Sequence, residues 1–202
     1  MSRRKRFHWQ ILTLSILFLA LFSYAALAAP TSVTIAGSLQ SALGCPGDWD
    51  PACAVTHLTD MGNDVWRGEF TIPTGSWEYK AALNDSWTES YPAANKALTV
   101  GADTAVRFYY DDKTKAVVDS VNDFVAVAAG SFQSAIGCAS DWDPACVRSL
   151  LTDADGDGVY SFVTTAVPAG SYEFKVAMDE GWITSYPAAN VPFSVLNDGE
   201  QV

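Results

Sequence analysis

Residues Ser76 to Asn84 alternate strictly, with Trp77, Tyr79, Ala81 and Leu83 on one side and Glu78, Lys80, Ala82 and Asn84 on the other. A period of two is the mark of a half-buried strand. The division recurs further along, where Tyr172, Phe174, Val176 and Met178 oppose Glu173, Lys175, Ala177 and Asp179. Shorter segments read the same way: Ser32–Ser38 with its partner Phe124–Gly130, Val65–Thr71 with Val159–Thr164, then Lys96–Val100, Ala105–Tyr110 and Lys115–Ser120. Pro73-Thr-Gly75 and Pro168-Ala-Gly170 are turns between them. With no convincing helical period, the pattern predicts an all-β fold of antiparallel β-sandwich type.

The pattern is also duplicated. Gly37-Ser-Leu-Gln-Ser-Ala-Leu-Gly-Cys-Pro-Gly-Asp-Trp-Asp-Pro-Ala-Cys53 returns as Gly130-Ser-Phe-Gln-Ser-Ala-Ile-Gly-Cys-Ala-Ser-Asp-Trp-Asp-Pro-Ala-Cys146. The offset is 93 through Thr59/Thr152 and 95 at Tyr91–Asn95 and Tyr186–Asn190. A repeat this long is a whole domain rather than a solenoid unit. Two domains are expected, at residues 31–121 and 124–202, joined by Asn122-Asp123. The second reads as incomplete at its C-terminus, because Asp198–Val202 aligns with the approach to Ala105–Tyr110; the expectation is the front of a longer protein, or a truncated reading frame.

Residues 1–28 differ from the rest. Arg3, Arg4, Lys5 and Arg6 precede an apolar run from Ile11 to Phe22, and Ala26-Leu27-Ala28 offers small residues for cleavage. This predicts a signal peptide and a secreted, extracellular chain; an uncleaved anchor is the competing reading. Downstream of residue 28 stand eight Lys and Arg against 23 Asp and Glu, a net charge of −15. Such a charge speaks against nucleic acid or an anionic membrane as partner and leaves neutral ligands open. A monomer is expected.

The four cysteines form two C-x7-C pairs, one in each copy. In a chain bound for an oxidising space, the pairings Cys45–Cys53 and Cys138–Cys146 are expected. A metal site is the weaker reading, since neither loop contains a His.

Function, if legible, resides in aromatic residues outside the strands. Trp49 and Trp142 sit in the Cys loops, whereas Trp87 and Trp182 follow the alternating strand, four residues before Tyr91 and Tyr186. Flat rings on loops suit stacking against a sugar, with Lys80, Lys175, Asn84 and Asp179 available to its hydroxyls. The competing reading makes Trp49 and Trp142 plugs of an open sandwich end. Trp66, Trp77, Phe70, Tyr160, Phe162 and Phe174 are assigned to the core by their periodicity. Asp153, Asp155 and Asp157 resemble the start of a calcium loop, but its twelfth position is Thr164, and a hairpin turn is the preferred reading. No other cofactor is indicated. Neither His is repeated, and no nucleophile elbow or phosphate loop is present, so the chain by itself is expected not to be an enzyme.

At Ala36–Cys45, Asp48–Cys53, Gly75–Trp87, Asp153–Tyr160 and Gly170–Met178 the chain resembles the immunoglobulin-like modules that precede the catalytic domain of bacterial pullulanases and amylases. These modules are similar in turn to domains of outer-membrane starch-binding lipoproteins. The resemblance implies two tandem immunoglobulin-like sandwiches and an α-glucan partner, with Trp87, Trp182, Lys80 and Lys175 as glucan contacts. One departure stands out: family members usually continue Trp-Asp-Glu-Asn-Tyr-Gly, and here Pro92 and Pro187 follow the Tyr. The expected function is non-catalytic starch or pullulan binding, against a ligand-free spacer or a fragment of a debranching hydrolase.

Overall fold

The computed structural model describes residues 29–202, so the expected signal peptide lies outside the described residues. Strand β1 (Val33–Gly37), β4 (Gly75–Leu83) and β5 (Ser86–Val100) form one antiparallel sheet in the order β1-β4-β5. Strands β2 (Thr59–Gly62), β3 (Val65–Ile72), β6 (Thr104–Asp111) and β7 (Ala116–Asp119) form a second, in sequence order. Between them lies a core in which Ile35, Tyr79 and Leu98 of the first sheet meet Ile72, Val106, Phe108 and Tyr110 of the second. The Phe108 ring meets the Tyr79 ring edge-on at 5.1 Å. Burial of the Tyr79 hydroxyl is matched by a 2.7 Å hydrogen bond to the fully buried Asp119.

The second copy contributes β8 (Ala126–Gly130), β9 (Leu150–Leu151), β10 (Gly170–Met178) and β11 (Gly181–Val195), in the order β11-β10-β8-β9. The pairing of β8 with β10 repeats that of β1 with β4, again antiparallel. Among the described residues this copy has no counterpart of β6 and β7. The expected strand Val159–Thr164 is accordingly reduced to isolated contacts, the bridge of Thr152 to Ser161 and a reciprocal pair of backbone hydrogen bonds between Thr164 and Val202 at 3.0 Å. Its equivalent β3 is held by β6 along its whole length, and without that neighbour the segment has no ladder to join. Tyr160, expected in the core, is instead half-buried with its ring 6.1 Å from Phe124. Phe162 and Phe174 are also only half-buried, though packed against a smaller cluster around Phe132 and Val167.

Trp87 and Trp182 were expected on loops and lie on strands. The chain reverses through Asn84-Asp85 (φ 55° and 53°) and Asp179-Glu180 (φ 56° and 58°), two-residue hairpin turns of the primed kind. Asn and Asp tolerate this left-handed backbone because a short polar side chain can bond locally.

The two copies are packed together. Val65, Tyr109 and Val118 share a hydrophobic cluster with Val125, Val127, Val147 and Leu150 of the second copy. Asn122 and Asp123, read as a linker, are tied down. Asp119 accepts the backbone N–H groups of Val121 (2.9 Å) and Asn122 (2.8 Å), while Asp123 pairs with Lys96.

Candidate carbohydrate-binding surface

Each Cys loop is assembled around one buried Gln that periodicity does not single out. Gln40 is fully buried; its Oε1 accepts the N–H of Gly37 (3.2 Å) and of Asp50 (2.8 Å), and its Nε2 donates to the Asp50 carbonyl (2.8 Å) and to Thr56 Oγ1 (2.9 Å). Gln133 repeats these bonds with Gly130, Asp143 and Ser149. One side chain thereby satisfies both ends of a loop that has no ladder of its own. The only advance signal was the repeated Gln in Ser-Leu-Gln-Ser and Ser-Phe-Gln-Ser. Disulfides Cys45–Cys53 and Cys138–Cys146 close the loops as expected. Gly37 is required where the loop leaves β1, because an added Cβ would lie 2.2 Å from the Glu78 carbonyl oxygen.

The loop folds back over the outer face of its sheet. Thr34 Oγ1 donates to the Pro51 carbonyl at 2.7 Å, and both Thr34 and its cross-strand neighbour Ala82 are fully buried. Ala82 was expected to face solvent; the loop above it is the reason that it does not.

On this outer face the loop Trp meets the hairpin Trp. The Trp49 and Trp87 ring centres are 6.3 Å apart with planes tilted by 42°, and those of Trp142 and Trp182 are 6.5 Å apart at 40°. Trp87 and Trp182 remain 42% and 43% exposed. Trp49 and Trp142 are half-buried, each at φ 58° in the left-handed region. For a bulky residue that backbone costs on the order of 1 kcal/mol or more, and such strain concentrates at functional sites. Both copies maintain it.

The polar candidates are distributed differently. Lys80 and Lys175 donate to the Ala93 and Ala188 carbonyls of their own hairpins (2.8 and 3.0 Å), where residues 92–95 and their counterparts bulge out of the ladder. Beside them Asn95 and Asn190 donate to Glu78 (3.1 Å) and Glu173 (2.9 Å). Pro92 and Pro187, each after a cis peptide bond, belong to these bulges. Asn84 Oδ1 accepts the Thr31 N–H at 2.7 Å. Asp179 is turned towards the first copy, its carbonyl accepting from Arg107 at 3.1 Å.

The two Tyr positions diverge. Tyr91 stacks on Tyr110 at 6.0 Å and donates to Glu89 at 2.8 Å, whereas Tyr186 is 63% exposed. The structure thus brings Trp49 together with Trp87, and Trp142 with Trp182. It directs the Lys and Asn84 side chains into supporting bonds, and Asp179 meets Arg107 through its carbonyl and a 3.5 Å ion pair.

The Asp153, Asp155 and Asp157 carboxylates have oxygen atoms within 4.8 Å of one another. Asp153 already accepts the N–H groups of Gly156 (2.9 Å), Asp157 (3.1 Å) and Gly158 (3.0 Å), the bonding of a tight turn. No described helix is long and apolar enough to cross a membrane.

The family model described as the pullulanase X25 domain matches residues 32–117 and again 125–202. An amylopullulanase of Thermoanaerobacterium saccharolyticum is 34% identical over 221 aligned positions, covering 97% of this chain and 17% of that protein. Another from Thermoanaerobacterium thermosulfurigenes is 36% identical over 184, covering 82% and 10%. The chain therefore spans less than a fifth of the length of either relative. The solved pullulanase from Bacillus acidopullulyticus superposes with a TM-score of 0.46 at 26% identity, over 87% of this chain and 26% of that one. With its two copies each matched and nearly its whole length aligned to amylopullulanases, the chain belongs to the pullulanase X25 domain family.

Proposed function

We propose that this chain is a non-catalytic, secreted α-glucan-binding region with two sandwich domains at residues 31–121 and 124–202, accessory to a starch- or pullulan-degrading enzyme. The observation that carries the reading is the tilted indole pair, formed twice with nearly the same spacing and angle. An α-1,4-linked glucan curves from one ring to the next, so two faces about 40° apart can each cover one sugar where a flat platform would cover only one. The names of the amylopullulanase relatives agree with that substrate class. A strongly acidic surface leaves a neutral polymer unopposed.

Retention on insoluble starch tests the proposal. Intact protein should be retained, and the double variant Trp87→Ala, Trp182→Ala should pass through with its melting temperature little changed. Passage of the intact protein would sink the reading. A ligand-free spacer is the second reading, favoured by the engagement of Lys80 and Lys175 within their own hairpins. Titration calorimetry with maltooligosaccharides separates the two, since a spacer evolves no binding heat.

A further inference from the structure

The two hairpins that carry the exposed indoles are held in different ways. Each turn has a carboxylate at its second position, Asp85 in the first copy and Glu180 in the second, 95 residues apart. Glu180 reaches across to Arg67 and Tyr109, so its cation is a guanidinium. Asp85 stays within its own copy. Its Oδ1 accepts the Ser32 hydroxyl at 2.6 Å and lies 3.2 Å from Nε2 of His57. The repeat gives His57 no counterpart, since Leu150 occupies that position and is buried in the cluster between the copies.

His57 Nε2 is closed off from solvent and has no aligned hydrogen-bond partner among the described residues, while 29% of the side chain stays exposed, so protons reach the ring. The charges around it are few. Strand β1, which bridges to His57 at Thr34, has no charged side chain. Asp48 and Asp50 of the Cys loop accept the Ser41 and Ala52 N–H groups, and Asp60 of β2 accepts that of Gly62. Among the described residues, Asp85 is the charged group within ion-pair distance. The contact spans the two arms of the first indole pair. His57 follows Cys53, which closes the loop carrying Trp49, and Asp85 stands two residues before Trp87.

We propose that His57 is a positioning residue for the first indole pair, acting through Asp85. An imidazole gains its charge as pH falls through the range between about 5 and 8, in which a carboxylate is charged throughout. The ion pair is therefore complete at the acid end of that range and lost at the alkaline end, and with it goes the tie between the Cys loop and the Trp87 hairpin. Glu180 has no such dependence there, because arginine keeps its charge. Resting on the glucan-binding reading, the consequence is that the first copy binds more tightly at about pH 5.5 than at about pH 8, while the second binds equally at both. A partly exposed pair of this kind supports a change of up to about fivefold.

Titration calorimetry with a maltooligosaccharide reads each copy separately, through Trp182→Ala for the first and Trp87→Ala for the second. The first copy should bind about two- to fivefold more weakly at about pH 8 than at about pH 5.5, with the second unchanged. His57→Leu, which copies Leu150, should hold the first copy at its weaker affinity at both pH values, and His57→Arg should hold it at the stronger. Equal binding by the first copy across the range, or a pH dependence that survives His57→Leu, would overturn the proposal. The Trp87 indole N–H resonance gives a readout without sugar: in the intact chain it should move with the His57 ring signals, and in Asp85→Asn it should stay still. If neither copy bound glucan, the proposed function would fall and that resonance would still decide. Its movement with the ring would support the positioning role, and its constancy would refute it.

Discussion

Arg67 of the first copy and Glu180 of the second form a two-pronged ion pair, with Nε 2.7 Å from one carboxylate oxygen and Nη2 2.9 Å from the other. Tyr109 donates to the same carboxylate at 2.7 Å, and Arg107 lies 3.3 Å away. Glu180 occupies the second position of the β10–β11 turn, so the tip of one copy's hairpin is clamped on the sheet of the other. With only 11% of its side chain exposed, this carboxylate is nearer to a buried pair than to a surface one. Together with the shared cluster under Tyr109, the clamp holds the two copies against each other. Asn122-Asp123 is thus a junction held by contacts on both sides.

Glu180→Ala should loosen this junction by about 2–3 kcal/mol, because Arg67 and Tyr109 would lose a charged acceptor. Small-angle scattering should then report a broader spread of shapes, and differential scanning calorimetry two separated transitions where the intact chain gives one.

Acid should act on the same contact. Burial pushes the Glu180 carboxyl up, but the hydrogen bonds from Arg67 and Tyr109 outweigh that and hold it below its ordinary value of 4.5. A carboxylate with a depressed folded value stabilises the protein above its unfolded value and loses that contribution as pH falls through the folded one. The junction should therefore be at full strength above about pH 5 and weaken progressively below about pH 4. Thermal melts of intact protein and of Glu180→Gln should converge as the pH is lowered through that range.

Gln40→Ala should be costly for a residue with no direct part in binding. It orphans the N–H groups of Gly37 and Asp50 at the base of the Cys loop, for an expected loss of about 2–4 kcal/mol. Urea unfolding should show it, and Gln133→Ala should do the same in the second copy.

Trp49→Gly separates a sugar platform from a structural plug. Glycine adopts φ 58° without strain, so a relief of about 1 kcal/mol should largely offset the lost packing of a half-buried ring. Starch retention by the first copy should fall with little change in melting; a loss of about 3 kcal/mol or more would assign the ring to the core instead.

Reduction should destabilise both copies. Each disulfide spans a sequence separation of 8, worth about 2–3 kcal/mol in the chain-entropy model. Calorimetry with and without reductant measures it, and unchanged melting would count against the contribution.

Much of the fold was determined locally. Alternation from Trp77 to Leu83 fixed β4 and its inner face, the repeat fixed the equivalence of β1 with β8 and of β4 with β10, and the presence of one cysteine pair in each copy favoured the local disulfides among the three possible pairings. These features depend on period, composition and short loops, all of which are written along the chain. Tertiary structure decided what depends on residues far apart in sequence. It joined Trp49 to Trp87, turned Lys80 back on its own hairpin, buried Ala82 beneath the Cys loop and carried Glu180 to Arg67, 113 positions away. Val159–Thr164 has strand-like composition and is not a strand, because a β-segment is stabilised by the neighbour that pairs with it and composition alone does not supply one.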